Sequence, residues 1–131
     1  GGNLSMLDSL VGTPYFPSNS QLAGSILFWE IDDSATFRIE RVLTHLKYAG
    51  VLGVISGMII GKLVDIRPTT TEFEEPSLEA IVMNVLSDFD FPILANVDFG
   101  HKMAQTPMPI GIRVSMTTTN KELIFLDSAV M

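Results

Sequence analysis

"SILFWEIDDSATFRIERVLTHLKYAG", Ser25 to Gly50, decides the fold. Ser25 to Trp29 is a continuous apolar run of strand length, the pattern of a strand covered on both faces. The run ends abruptly at Glu30. Beyond it Ile39, Val42, Leu43 and Leu46 recur at helical spacing and Gly50 supplies a stop. Ser34 reads as the helix cap, with Asp32 and Asp33 near the positive end of the dipole. A buried strand feeding an amphipathic helix is half of a parallel α/β unit.

The same alternation continues along the chain. "VISGMIIGKL" holds a second buried strand around Gly57 to Leu63, and the polar "RPTTTEFEEP" follows as a loop. Ser77 caps a further helix, with Leu78, Ile81, Val82, Val85, Leu86 and Phe89 on one stripe. "FPILAN" is a third short strand. Strand, helix, strand, helix, strand in this order predicts parallel pairing with right-handed crossovers. Upstream, Asn3 caps a short helix carrying Leu4, Leu7, Leu10 and Val11, Gly12 stops it, and "TPYFPSNSQLAG" reads as loop. Downstream, "IGIRVSM" and "ELIFLD" flank "TTTNK" as an antiparallel hairpin with Asn120 near its turn. The predicted class is α/β, a parallel βαβαβ core followed by that hairpin.

At 131 residues, 47% hydrophobic and 18% charged, the chain has the composition of one ordinary globular domain. Its net charge of −7 argues against nucleic acid or an anionic membrane as partner, since both call for basic patches. The absence of cysteine excludes disulfides, thiolate metal sites and a cysteine nucleophile. No apolar run approaches bilayer-spanning length, and no basic-then-apolar leader opens the chain. "GGNLSML" lacks an initiator methionine and moves at once into helix-like sequence, so a fragment of a longer protein is expected.

In parallel sheets ligands gather beyond the carboxyl ends of the strands. Glu30 closes the first strand, and Asn96 to His101 follows the third, so a parallel sheet places both at one edge. Glu30 has two readings: a polar strand end facing water, or a carboxylate that orients an imidazole. His101 likewise is a structural loop histidine or a general base. Gly100 beside it allows close approach, and Pro107 and Pro109 stiffen the chain beyond it. His45, one turn from Arg41, belongs to a basic helix face that is solvated or pairs with nearby carboxylates. "EFEE", Glu72 to Glu75, lacks calcium-loop spacing and reads as a solvated loop. "GVISG" puts Ser56 off the register of a nucleophile elbow, and no phosphate loop, H-E-x-x-H or dinucleotide fingerprint occurs.

Taken together, "GGNLSMLDSLVGTPYFP", "GSILFWE", "FRIERVLTHLKYAGVL", "GMIIGKL", "FPILANVDFGH" and "PMPIG" resemble, in order and over nearly the whole chain, one family of serine peptidases. It includes the LD-carboxypeptidases (muramoyltetrapeptide carboxypeptidases) and the microcin-immunity peptidases. The resemblance implies a swivelling β/β/α-type fold and makes residues 1–131 the C-terminal domain of a two-domain enzyme. The nucleophilic serine and oxyanion-hole amides then belong to an N-terminal domain absent from this chain. By matching motif, Glu30 and His101 complete a Ser-Glu-His triad and Asn3 contacts substrate. The implied work is cytoplasmic hydrolysis of an LD-amide bond in murein tetrapeptides during peptidoglycan recycling, by a homodimer without metal or cofactor. Two alternatives stand beside it: a self-immunity peptidase acting on a microcin-type peptide-nucleotide antibiotic, and a non-enzymatic ligand-binding domain. One departure is that Ile31 follows Glu30 where many members carry aspartate.

Overall fold

The computed structural model describes residues 1–101 and 105–130. At its centre lies the apolar run singled out above, β2 (Ile26–Glu30), whose Leu27 and Trp29 are buried. On one side it pairs in parallel with β1 (Gly2–Asn3), on the other with β4 (Gly57–Gly61), which in turn pairs in parallel with β6 (Ile93–Val97). The four-stranded order is β1-β2-β4-β6. The crossovers carry α3 (Thr36–Tyr48) and α4 (Leu78–Val85), and α1 (Leu4–Leu10) packs against α3. The predicted parallel βαβαβ core is therefore the observed one, extended by β1.

Spacing explains the packing. Ile39, Val42, Leu43 and Leu46 of α3, Val82 and Val85 of α4 and Leu4 of α1 form one buried cluster with Leu27, Trp29, Met58 and Ile60 of the sheet. Burial of each such large side chain stabilises the fold by about 1.5–3 kcal/mol. Asn3 caps α1, its Oδ1 accepting from the Ser5 and Met6 amides, and Ser77 caps α4 through the Ala80 amide. His45 meets Asp8 at 2.7 Å, joining α3 to α1, so the basic helix face does pair with a carboxylate.

Several sequence expectations are corrected. Ser34 is no cap: Asp32–Ala35 form a strand, β3, paired in parallel with β5 (Val64–Arg67), and Ser34 is buried within it. The helix instead starts after Ala35 without a side-chain cap. Arg67, at the head of the expected polar loop, thus belongs to a strand of a second, two-stranded sheet. β5 alternates apolar and polar residues, with Ile66 against the core, whereas "DDSA" of β3 has no such alternation and joins the sheet through backbone pairing. Inside the expected loop "TPYFPSNSQLAG" sits a one-turn helix, α2 (Asn19–Leu22), started by a capping box between Ser18 and Gln21. Glu75 of the acidic loop is not simply solvated, for it accepts from the Thr36 hydroxyl at 2.7 Å and the Thr70 amide at 3.2 Å. The hairpin appears as expected, β7 (Val114–Thr117) against β8 (Glu122–Phe125), with Arg113 and Asp127 paired across its open end. No helix among the described residues is long and apolar enough to cross a membrane.

Candidate active site

Glu30 ends β2 opposite Asn3 of β1 and is buried, with 8% of its side chain exposed. The water-facing reading of this residue is therefore incorrect. A carboxylate so far removed from solvent needs partners, and it has them on both oxygens. Asn3 Nδ2 donates to Oε1 at 3.3 Å, and His101 Nδ1 lies 2.7 Å from Oε2. Glu30, His101 and Asn3, far apart in sequence, thus meet at the carboxyl edge of the parallel sheet. Asn3 works at both ends, since its Oδ1 caps α1 while its amide nitrogen holds the carboxylate.

The return of the chain after β6 is what delivers the imidazole. The Lys62 amide donates to the Phe99 carbonyl at 3.1 Å, and the Phe99 ring meets Phe28 edge-on with centroids 5.7 Å apart. Gly61 permits this approach, because a Cβ there would lie 2.7 Å from the Phe99 oxygen and 3.0 Å from Glu30 Cβ. Gly100 adopts φ +140°, and a Cβ on it would stand 3.1 Å from the Lys62 carbonyl. Its mirror-image backbone turns the next residue, His101, down onto Glu30. Gly100→Ala is expected to cost about 1–3 kcal/mol in a denaturant melt. In the full-length protein the displaced ring should also lower kcat/KM about tenfold to a hundredfold.

Electrostatics favour a charged ring. The hydrogen bond that Nδ1–H donates to Glu30, and then the negative charge of Glu30, hold the His101 imidazolium above its ordinary 6.5, with partial burial opposing and a smaller contribution from Asp32. Asp32 Oδ1 is 3.7 Å from the same Nδ1. In the sequence Asp32 reads only as an acid near a helix dipole. The missed signal is simple alternation: residues two apart on an extended backbone share a side, so Asp32 faces the ring with Glu30 while Ile31 turns into the core at 3% exposure.

With Nδ1–H donating to the carboxylate, the lone pair of the neutral ring resides on Nε2, which is the arrangement of a general base. About half of the imidazole side chain is exposed. Next to the pair, Gly2, Glu30, Phe99, Gly100 and Gln105 to Met108 line an open hollow of about 440 Å³. A larger cavity of about 870 Å³ lies between α4, β5 and the β4–β6 edge, lined mainly by Ile60, Leu63, Ile66, Val82, Phe91 and Ile93. Its lining has carboxylates in Asp65 and Glu79 but no imidazole, so the chemistry is placed at the Glu30–His101 pair, beside the smaller hollow that Glu30 lines. Ser56 donates its hydroxyl to the Gly24 carbonyl at the start of β4, at the opposite end of that strand from Gly61. Among the described residues no group of three or more His, Asp or Glu is arranged to hold a metal ion.

Comparison with known proteins shows the family and the fold. The model of the LD-carboxypeptidase C-terminal domain matches residues 1–116. A Bacillus subtilis (strain 168) protein named "Probable murein peptide carboxypeptidase" is 31% identical over 124 residues, covering 95% of this chain and 38% of that protein. The muramoyltetrapeptide carboxypeptidase from Oxalobacter formigenes superposes with a TM-score of 0.81 at 25% identity, over 93% of this chain and 41% of its own. The microcin C7 self-immunity protein MccF, in complex with aspartyl sulfamoyl adenosine, superposes with a TM-score of 0.86 over 100% of this chain and 38% of its own. Its identity of 23% makes that a likeness of fold. The chain spans only 38–41% of the length of these relatives. On the family match and the identity to the Bacillus protein, this chain belongs to the LD-carboxypeptidase C-terminal domain family.

Proposed function

We propose that this chain is the C-terminal half of a serine peptidase that hydrolyses an LD-amide bond in murein tetrapeptides. In this reading Glu30 and His101 serve a serine and oxyanion-hole amides carried by an N-terminal domain outside residues 1–131. The observation that carries the proposal is the 2.7 Å contact between His101 Nδ1 and a buried Glu30 carboxylate. A binding module needs no imidazole presented this way, with one nitrogen fixed by a carboxylate and about half of the side chain exposed. Family membership and a chain covering 38% of a murein peptide carboxypeptidase relative support the same reading.

The chemistry follows from the tautomer. A serine hydroxyl is a weak nucleophile at neutral pH, so Nε2 takes its proton as Oγ bonds to the substrate carbonyl carbon. The resulting imidazolium is balanced by Glu30 and returns the proton to the leaving amine as the carbon–nitrogen bond breaks. Water then repeats the cycle on the acyl-enzyme, releasing the shortened peptide. Asn3 fixes the far oxygen of Glu30, so the carboxylate cannot rotate away from the ring. Cytoplasmic peptidoglycan recycling and a homodimeric assembly belong to this proposal.

The test uses the full-length protein and a panel of murein tetrapeptides and peptide-sulfamoyl-adenylates. Release of the terminal D-amino acid from the tetrapeptide is the expected outcome, with no measurable turnover by the 131-residue chain alone. Hydrolysis confined to the nucleotide conjugates would instead assign an immunity peptidase. Turnover by the isolated chain would contradict the split site.

A further inference from the structure

The geometry points to a second carboxylate in the relay: we propose that Asp32 is a positioning residue for His101, holding the ring with Nδ1 inward and balancing the charge the ring acquires. This role rests on the reading of His101 as general base. Three observations carry it. Asp32 Oδ1 lies 3.7 Å from His101 Nδ1, beyond hydrogen-bond range yet within ion-pair range. Its carboxylate is largely withdrawn from water, with 29% of the side chain exposed, so its field on the ring is only partly screened. Its place is fixed by backbone, because Asp32 opens β3 and registers with Val64 of β5.

The arrangement divides the labour between two sheets. Glu30 is the last residue of β2 in the four-stranded sheet and Asp32 the first of β3 in the two-stranded one, with buried Ile31 as the pivot between them. Glu30 makes the directional bond to Nδ1. Asp32 adds negative potential at the same nitrogen, so a ring flip that put Cδ2 in the place of Nδ1 would forfeit both attractions. Among the described residues the charged groups acting on the ring are Glu30 from β2 and Asp32 from β3. The neighbouring Lys62 and Asp98, which follow β4 and β6, are paired with each other. Lys102 lies outside the described residues.

A carboxylate at this distance in a half-exposed site raises the midpoint of the ring. The chain has only two histidines, so nitrogen and carbon NMR titration of the 131-residue chain resolves each of them. His45, bonded to Asp8 on the α1–α3 face, is the internal reference for an intact fold. In Asp32→Asn the His101 midpoint is expected to fall with His45 unmoved, and Asp32→Glu should recover most of the shift. Asp32→Ser provides the same reading should the asparagine variant not fold. In the full-length enzyme the acid limb of kcat/KM should move down with the NMR midpoint, while kcat on the alkaline plateau falls only about twofold. A His101 midpoint unchanged in both charge-removing variants, with His45 at its wild-type position, overturns the role of Asp32. A wild-type kcat/KM profile without an acid limb at the His101 midpoint is a different failure: it sinks the general-base reading, whatever Asp32 does to the titration.

Discussion

His101→Gln in the full-length protein is expected to lower kcat/KM for a murein tetrapeptide by about 10⁴- to 10⁶-fold. The size follows from the unit in which the residue acts. Without an imidazole the serine keeps its proton during attack and the leaving amine receives none, so both chemical steps fail together. Glutamine keeps an amide donor near Glu30 Oε2, whereas alanine would strand part of a buried carboxylate at a cost of about 1–3 kcal/mol. Because roughly half of the His101 side chain is exposed, the melting midpoint of the glutamine variant should stay close to that of the parent. Steady-state rates paired with a thermal melt check both halves. A rate within tenfold of wild type would leave only a binding role for this domain.

Glu30→Gln is the second large effect, an expected fall in kcat of about 10³- to 10⁴-fold. The substitution preserves shape and leaves an oxygen for the Asn3 amide, which lies 3.3 Å from Oε1. It removes the charge that balances the imidazolium. It also offers Nδ1 an N–H donor, and so favours the tautomer with its proton on Nε2. Stability should move the other way. Glu30 is 6% exposed, and at a pH above the titration of His101, where the ring is neutral, removing the charge of a desolvated carboxylate relieves a burial cost without leaving an imidazolium unpaired. A large loss of rate with an unchanged or raised melting midpoint would mark Glu30 as retained for chemistry. A large drop in stability with little loss of rate would mark it as structural.

How each part of the molecule is held determines whether it was legible in the sequence. The βαβαβ core was, because Ile26 to Trp29, the α3 stripe and the run at Gly57 bury apolar surface, and burial writes itself as periodicity. From that topology alone, Glu30 and His101 could be placed at one sheet edge. The β3–β5 sheet was not legible, since Asp32 to Ala35 carry no apolar alternation and pair through backbone with Val64 to Arg67. Missing that sheet turned Ser34 into a cap and hid Asp32 from the site. The strand β1 is two residues long, too short for any pattern. The turn at Ser18 was readable in principle, because Ser-x-x-Gln is the capping-box signature. Proline and polar neighbours outweighed it. The burial of Glu30 could not be read locally, as it depends on Asn3, Gly61 and Gly100 closing around the strand end.

The most direct measurement is the nitrogen NMR spectrum of His101 at a pH above its titration, in the 131-residue chain. A neutral ring with its proton on Nδ1, hydrogen-bonded toward Glu30, leaves Nε2 free to act as a base, and this is the predicted result. A proton on Nε2, with the lone pair directed at Glu30, would leave no base to meet a serine and would contradict the proposed relay.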